Sequence, residues 1–259
     1  MKNNNAQEFV SHNGKIIPKV EGSDYSLVNG KIYIVEQDRF TDEVYLVEGN
    51  DFTFPNNYYL TNDDINFENR ILTTFENTEK KTTGVLLSGL KGSGKTLFAK
   101  HLAKESNLPI LVINKSVASC NIESFFSKFK TDVCIIFDEI DKYWVTKNLL
   151  DFFDGVSNTL KKLVICTCNE EDDISKYFID RCSRIRYNKT YKGLTKDIAF
   201  KLIEDRINDE ARTTEAIDYI FNNVRTISFD NVNTIAEEMQ LFKDDSIETI
   251  VKMLNLKLR

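Results

Sequence analysis

The stretch GLKGSGKT, Gly89 to Thr96, holds three glycines in a chain that has only 10 among 259 residues. An apolar run, GVLLS, precedes this glycine loop, and LFAKHLAKE, which has the spacing of a helix, follows it. Glycines at such a junction let backbone N–H groups turn inward and form a concave site for anions. The positive end of the following helix strengthens that site. The stretch therefore predicts a strand, a phosphate-binding loop and a helix.

The glycine loop fits the pattern G-x-x-x-x-G-K-[ST], which is typical of loops that bind nucleoside triphosphates. Lys95 is expected to reach the β- and γ-phosphates, and the Thr96 hydroxyl is expected to hold Mg²⁺. A structural Gly-rich turn is the alternative interpretation. The pattern favours ATP and Mg²⁺ as ligands. The residues expected to contact the nucleotide lie in the loop and the start of its helix: Gly89, Lys91, Gly92, Ser93, Gly94, Lys95, Thr96 and Leu97.

An acidic pair follows the apolar part of a second run, CIIFDEID. Asp138 comes directly after the apolar residues, where a carboxylate can hold the Mg²⁺ shell together with Thr96. Glu139 is the next residue and is placed to orient or deprotonate an attacking water. Acidic residues often end apolar strands, so the pair is informative because a glycine loop precedes it. The two motifs together predict an enzyme, an ATPase that hydrolyses ATP to ADP and phosphate.

Three further polar residues are candidates for the same site. Asn169 follows the apolar run LVICTC and either hydrogen-bonds the γ-phosphate or the water, or forms a turn. Arg181 and Arg184, in DRCSR, are three residues apart and can project from one face. They are either a solvated surface pair or a pair that reaches a neighbouring subunit's γ-phosphate, where guanidinium groups stabilise developing charge.

Composition limits the other classes of function. The net charge of −6 and a sequence pI near 5.2 argue against nonspecific coating of nucleic acid. No apolar run approaches the roughly 20 residues that cross a bilayer, and the polar N-terminus is unlike a signal peptide. We interpret the five cysteines as reduced thiols of a cytoplasmic protein. Cys166 and Cys168 are expected to be buried thiols, with a metal pair as the less favoured alternative.

Changes in pattern along the chain predict four regions. Residues 1–22 are polar and are expected to form a flexible tail. Residues 23–60 are expected to form a small antiparallel β module, since Asn29-Gly30 joins two alternating runs and suits a hairpin turn. Residues 61–190 alternate apolar runs with helical stretches and predict an α/β domain with a parallel sheet of about five strands, RIRY being the last. Residues 191–259 show helical spacing and predict a helical lid subdomain.

The order of these motifs resembles the AAA+ ATPases, and within them the AAA group in the narrow sense. LLDFFDGV, DRCSR and TISFDNVNTIAEEM are similar to that group's LL-x-x-LDG-V, R-P-G-R and G-F-S-G-A-D-I-x-x-L-x-x-E-A motifs. The design is also similar to small AAA ATPases of bacteriophages, for which the compartment is the host cytoplasm. The resemblance covers about residues 60 to 245 and is most specific at the glycine loop and at Asp138.

The resemblance implies an α/β P-loop fold and an ATP-driven ring, usually a hexamer, in which a neighbour's arginines complete each site. It also implies that Asn169 is the sensor 1 residue and that Asn114 is a switch partner of Glu139. Two departures stand out. The interval KSVASCN lacks the aromatic residue and glycine of a substrate-threading loop, which puts threading in doubt. Asp230 lies near the position where many AAA+ relatives carry a sensor-2 arginine. The AAA group also lacks an arginine there, so this departure supports the resemblance to that group.

Three functions are compatible with these motifs. The first is a ring-forming ATPase that remodels an unknown protein partner. The second is a nucleic-acid-handling ATPase, clamp-loader-like or a replication helper, although the chain has no obvious basic face. The third is a scaffold that uses ATP only to assemble. FFSKFKTD, from Phe125, could contribute base stacking to the second function, but we expect Phe126 and Phe129 to pack inward on an amphipathic helix.

Overall fold

The computed structural model describes residues 8–12, 14–18, 25–38, 40–55, 58–79, 82–117, 122–143, 152–153, 160–169 and 184–259. The strands are β1 Glu8–His12, β2 Lys15–Pro18, β3 Tyr25–Ser26, β4 Ile32–Gln37, β5 Val44–Glu48, β6 Thr82–Gly89, β7 Ile110–Ile113, β8 Val133–Phe137, β9 Lys162–Thr167 and β10 Tyr187–Tyr191. The helices are α1 Asn62–Asn77, α2 Lys95–Glu105, α3 Ile122–Phe126, α4 Ile140–Tyr143, α5 Lys196–Ile207, α6 Glu210–Asn223, α7 Phe229–Leu241 and α8 Ile247–Met253.

The chain divides into two compact units. The first, here the sheet unit, comprises Met1–Phe54, Asp64–Ser88 and Thr96–Thr190. The second, here the helical unit, comprises Pro55–Asp63, Gly89–Lys95 and Tyr191–Arg259. The glycine loop therefore belongs mostly to the helical unit, while Thr96 and the strand that ends before Asp138 belong to the sheet unit.

A parallel ladder forms the centre of the sheet. Strands β6, β9, β8, β7 and β4 are neighbours in that order, and each of them pairs in parallel with the next. All five residues of β8 and all six of β9 are buried, as expected for strands covered on both faces. The predicted α/β fold with a parallel sheet is confirmed. The final strand differs from the prediction, since β10 begins at Tyr187, where RIRY ends, and lies beside β6.

The N-terminal strands extend this sheet instead of standing apart as a module. Its full order is β10-β6-β9-β8-β7-β4-β5-β2-β1-β3, and β4 joins the halves by pairing in parallel with β7 and antiparallel with β5. A turn forms at Asn29-Gly30, where the Lys31 N–H donates to the Val28 carbonyl at 3.2 Å. The predicted hairpin across it does not form, because β3 pairs with β1 and β4 pairs with β5 and β7.

The prediction of a flexible tail up to residue 22 is wrong for residues 8–18. Strands β1 and β2 pair antiparallel, and β2 also pairs with β5. Phe9 is fully buried, and its ring lies edge-on to that of Phe129 at 5.2 Å. Gly14, at φ +78°, lies in the turn between the two strands. Two apolar side chains, Phe9 and Ile16, are enough to anchor this otherwise polar segment to the core of the sheet unit.

The C-terminal residues of the helical unit form the helices that their spacing predicts. Helices α5 to α8 bury a common apolar cluster that includes Ile203, Ile220, Ile235 and Ile250. Ser228 caps α7 by accepting a hydrogen bond from the Asn231 N–H at 3.2 Å. No helix among the described residues is long and apolar enough to span a membrane.

Candidate functional site

The glycine loop follows β6 and adopts backbone angles that suit glycine. Gly89, Gly92 and Gly94 have φ of +115°, +73° and +95°. A Cβ atom on Gly89 would lie 2.1 Å from the Tyr191 carbonyl oxygen, whereas one on Gly94 would meet nothing within 4 Å. Gly89 therefore permits a close approach of two backbones. Gly94 is needed only because its backbone has a positive φ. Successive N–H groups in such a loop form an anion-binding concavity.

Lys95 and Ser93 are buried within this loop. Lys95 is 6% exposed, and its ammonium donates to the carbonyl oxygens of Gly89 at 2.6 Å and Leu90 at 2.7 Å. The Ser93 Oγ is buried and has no hydrogen-bond partner among the described residues. Buried hydroxyls are usually bonded, so an unpartnered one facing a loop of this type fits a ligand with acceptor oxygens. The loop therefore fits a phosphate chain.

The glycine loop is also tied to the start of α7 within the helical unit. The Phe229 N–H donates to the Gly92 carbonyl oxygen at 2.8 Å, and a Cβ on Gly92 would lie 2.5 Å from the Asp230 Oδ2. Asp230, which the resemblance places near the sensor-2 position, has its carboxylate against the loop. The loop and the first turn of α7 are therefore in direct contact.

A group of hydrogen-bonded residues, here the carboxylate cluster, lies where β8 and β9 end in the sheet unit; it comprises Thr96, Asp138, Glu139 and Thr167. The Asp138 Oδ1 accepts hydrogen bonds from the Thr96 Oγ1 at 3.0 Å and from the Thr167 Oγ1 at 2.6 Å. Pairing of Phe137 with Cys166 in the β8–β9 ladder sets this register. The carboxyl ends of parallel strands commonly carry the ligand site of an α/β sheet.

Glu139 leaves β8 in a left-handed conformation, with φ +52°. Its N–H donates to the Thr167 Oγ1 at 2.9 Å, and its carboxylate is hydrogen-bonded by Lys142, with the Lys115 Nζ 3.6 Å away. The Lys142 hydrogen bond lowers the pKa of Glu139, with Lys115 and a hydrogen bond from the Asn169 side chain acting in the same direction against burial. Glu139 is therefore ionised at neutral pH and can accept a proton or orient a water.

Asn169 contacts Glu139 through its side chain. Its N–H donates to the Asp141 Oδ2 at 3.1 Å, which ties the residue after β9 to helix α4. Lys115, the residue after Asn114, forms an ion pair with Glu139. The Asn114 N–H donates to the Val35 carbonyl oxygen at 3.2 Å. The switch role that the resemblance implied for Asn114 stays a prediction.

Only one of the two candidate arginines lies among the described residues. Arg184 is 6% exposed, and its carbonyl oxygen would lie 1.9 Å from a Cβ on Gly84, so its backbone packs directly on β6. A guanidinium that reaches another subunit needs a surface position, and the burial of Arg184 does not favour that role. Arg181 lies outside the described residues.

Four residues near the site were not singled out from the sequence: Thr167, Asp141, Lys115 and Lys142. Lys142 lies three residues after Glu139, a spacing that brings side chains together on a helix, so this contact carried a local signal. Thr167 and Lys115 reach the cluster only through strand register.

Cys166 and Cys168 are buried in the sheet, and burial raises the pKa of Cys166, so both are core thiols as expected.

The carboxylate cluster fits Mg²⁺ rather than a protein-caged metal. Among the described residues, no group of three or more His, Cys, Asp or Glu side chains is placed to hold a metal ion. Thr96 and Asp138 supply two hard oxygen atoms 3.0 Å apart. Mg²⁺ is commonly held by one or two protein oxygens together with phosphate oxygens and waters. These two residues are therefore suited to a metal that arrives with a triphosphate.

The described aromatic side chains of FFSKFKTD face the core. Phe125, Phe126 and Phe129 are all buried, and their rings stack edge-on or tilted at 5.0 to 5.4 Å. The inward packing predicted for Phe126 and Phe129 is confirmed. None of these three rings is available to stack on nucleic acid bases.

Comparison with known proteins finds a family that the central part of the chain resembles. The ATPase family associated with various cellular activities (AAA) matches residues 85–190. This segment runs from β6 through β10 and contains the carboxylate cluster, the glycine loop and Asn169.

Two individual proteins illustrate the similarity. The ATP-dependent zinc metalloprotease FtsH of Heterosigma akashiwo is 44% identical over 68 residues, which is 22% of this chain and 10% of that protein. The chain thus matches about a tenth of the length of this relative. A point mutant of RuvB from Thermotoga maritima has a similar structure, with a TM-score of 0.55 and 15% identity over 77% of this chain and 71% of that chain. At this identity the RuvB likeness concerns the fold alone.

Proposed function

We propose that this chain is an ATPase of the AAA family, which matches residues 85–190, and that it binds and hydrolyses ATP with Mg²⁺. One observation carries the proposal: the Thr96 hydroxyl lies 3.0 Å from the Asp138 carboxylate, and Glu139 follows directly in contact with Asn169. A metal held there would neutralise charge on the phosphates.

Each residue of the site has a role that its chemistry supports. The N–H groups of the glycine loop and the Lys95 ammonium bind the phosphates. Thr96 and Asp138 would hold the metal, and Glu139 would orient the attacking water and accept its proton. The Asn169 amide, which hydrogen-bonds Glu139, holds that carboxylate or the water in line.

Substitution of Glu139 separates binding from hydrolysis. Glu139→Gln is expected to lower the rate of ATP hydrolysis by about 10²- to 10⁴-fold, because general-base catalysis contributes that much. Binding of MgATP, measured by calorimetry, is expected to persist. Lys95→Ala is expected to lose both, and Glu79→Gln, an exposed site away from the cluster, is expected to lose neither. Hydrolysis by Glu139→Gln at the wild-type rate would rule out the assigned base.

We further propose that the chain works as a ring of identical subunits, with Arg181 of one subunit completing its neighbour's site. A mixture of Arg181→Ala and Glu139→Gln subunits tests this directly. If the two residues act at one site from different subunits, mixed rings contain some sites with both intact. ATPase activity of the mixture is then expected to exceed that of either variant alone. Activity equal to the average of the two variants would contradict action between subunits.

The client that we propose is a protein. The turn between β4 and β5 offers a contact point: Phe40 is 98% exposed, and its N–H is fixed by the Asp38 carboxylate at 2.9 Å. Exposed aromatic side chains on rigid supports are common anchors of protein interfaces. Affinity capture with Glu139→Gln is expected to retain the client in the presence of ATP. Capture with Glu139→Gln combined with Phe40→Ala is the matched control and is expected to retain much less.

A further inference from the structure

The Thr167 hydroxyl contacts both acidic residues that follow β8. It donates to the Asp138 Oδ1 at 2.6 Å and accepts from the Glu139 N–H at 2.9 Å. A hydroxyl has one hydrogen and two lone pairs, so it can make both bonds at once. Thr167 is 1% exposed and is the last residue of β9, where the buried ladder with β8 fixes its position. One side chain thus holds the metal-binding carboxylate and the backbone of the base.

The conformation of Glu139 gives this contact its importance. A φ of +52° is unusual for a residue with a side chain and persists only where the surroundings impose it. The Thr167 Oγ1 is the acceptor for the N–H of that peptide, so it fixes the turn by which the chain leaves β8. From this turn the Glu139 side chain extends to Lys142 and Asn169. Loss of the hydroxyl would release the peptide without removing either acidic group.

We propose that Thr167 is a positioning residue for ATP hydrolysis, holding Asp138 toward the metal and Glu139 toward the water through a single hydroxyl. This inference rests on the ATPase function proposed above. Thr167 itself touches neither the nucleotide nor the metal in this scheme. The alternative is a purely structural residue, which fills space in β9 and satisfies its own hydroxyl.

Two variants and a matched control distinguish these roles in the full chain. Thr167→Val keeps the shape of the side chain and removes the hydroxyl, and Thr167→Ser keeps the hydroxyl. Thr83→Val is the control, because Thr83 is 1% exposed on β6 of the same sheet and its hydroxyl has no partner among the described residues. All three are compared with the wild type for kcat, KM for ATP, and the Mg²⁺ concentration that gives half the maximal thermal stabilisation by ATP.

The expected result is a loss of activity in Thr167→Val that spares Thr167→Ser and Thr83→Val. Thr167→Val lowers kcat about 10- to 100-fold, since small misplacements of catalytic groups have effects of this size, and changes KM less than about threefold. It also raises the half-saturating Mg²⁺ concentration several-fold, which reports on Asp138 without reference to turnover. Thr167→Ser restores kcat to within about threefold of the wild type, and Thr83→Val behaves as the wild type.

Other results overturn the inference. A Thr167→Val protein with a lower melting temperature but wild-type kcat and Mg²⁺ dependence would show a structural role only. Equal impairment of Thr167→Val and Thr167→Ser would show that shape and not the hydroxyl matters. Failure of the ATPase function itself is seen separately, as a wild-type chain that does not hydrolyse ATP, and it would overturn both proposals.

Discussion

Two buried hydroxyls, on Ser93 in the glycine loop and on Thr167 in the carboxylate cluster, differ in their hydrogen bonding. Ser93 has no partner among the described residues, whereas Thr167 bonds both Asp138 and Glu139. The glycine loop is shaped by backbone contacts, such as the Leu90 N–H to the Tyr191 carbonyl at 3.1 Å. The carboxylate cluster is shaped by side chains on neighbouring strands. The Ser93 hydroxyl is thus left to bond a ligand, while the Thr167 hydroxyl fixes the geometry of its own cluster.

Replacement of glycines tests the first half of this comparison and has the largest expected effect. Gly89→Ala and Gly94→Ala share the strain of a positive φ, but only the former brings a Cβ to 2.1 Å from a backbone oxygen. We expect Gly89→Ala to lower the free energy of unfolding by about 1–3 kcal/mol more than Gly94→Ala, since overpacking costs that much. Urea unfolding measures the difference. Equal losses would mean that strain alone governs the loop.

Replacement of lysines tests whether the carboxylate cluster restrains its own base. Lys142→Met removes a direct hydrogen bond to Glu139, and Lys115→Met removes a contact at 3.6 Å. For Glu139 to act on a water, its carboxylate must break its contacts with these two lysines. We expect Lys142→Met to raise kcat about 2- to 5-fold, because a partly exposed ion pair is worth ~0.2–1 kcal/mol. Lys115→Met, with the longer contact, should raise kcat less. Steady-state hydrolysis measures both, and a fall in kcat would show that the lysines assist the base.

Replacement of Ser93 has the smallest expected effect and sharpens the contrast between the hydroxyls. Ser93→Ala removes a group with no partner among the described residues, so no hydrogen bond is lost in the free protein. We expect the free energy of unfolding to change by less than ~0.5 kcal/mol, as for substitutions that disturb no interaction. Thermal unfolding without nucleotide checks this value. A loss of more than ~1 kcal/mol would show that the hydroxyl does support the loop.

Local spacing was sufficient to predict the fold and the motifs. The glycine loop between β6 and α2 and the acidic pair after β8 depend on residues close together in the chain, so the pattern showed them. The hairpin at residues 8–18 carried the same Asn-Gly signal, at Asn13-Gly14, but its polar neighbours concealed it. Asn29-Gly30 has the sequence of a hairpin turn, but no hairpin forms there, because β4 pairs with β7 instead of with β3.

Contacts set by strand register could not be predicted from one sequence. Thr167 meets Asp138 because Phe137 pairs with Cys166, and nothing local in LVICT indicates that pairing. The burial of Arg184 against β6 is also a tertiary result, which the three-residue spacing of the two arginines concealed. The supporting residues of the candidate site were therefore missed, and the roles of its motif residues stay predictions.

The continuous sheet has a mechanical consequence. Strand β4 leads directly from the β4–β5 turn, which carries Phe40, to a parallel ladder with β7, and β7 pairs with β8. Hydrogen bonds of a ladder run across the strands, so tension along β4 shears several of them together instead of opening them one at a time. A load applied at Phe40 would thus cross two ladders before it reached the strand that ends beside Asp138. The proposed client contact at Phe40 and the proposed catalytic residues after β8 would then be linked through one continuous sheet.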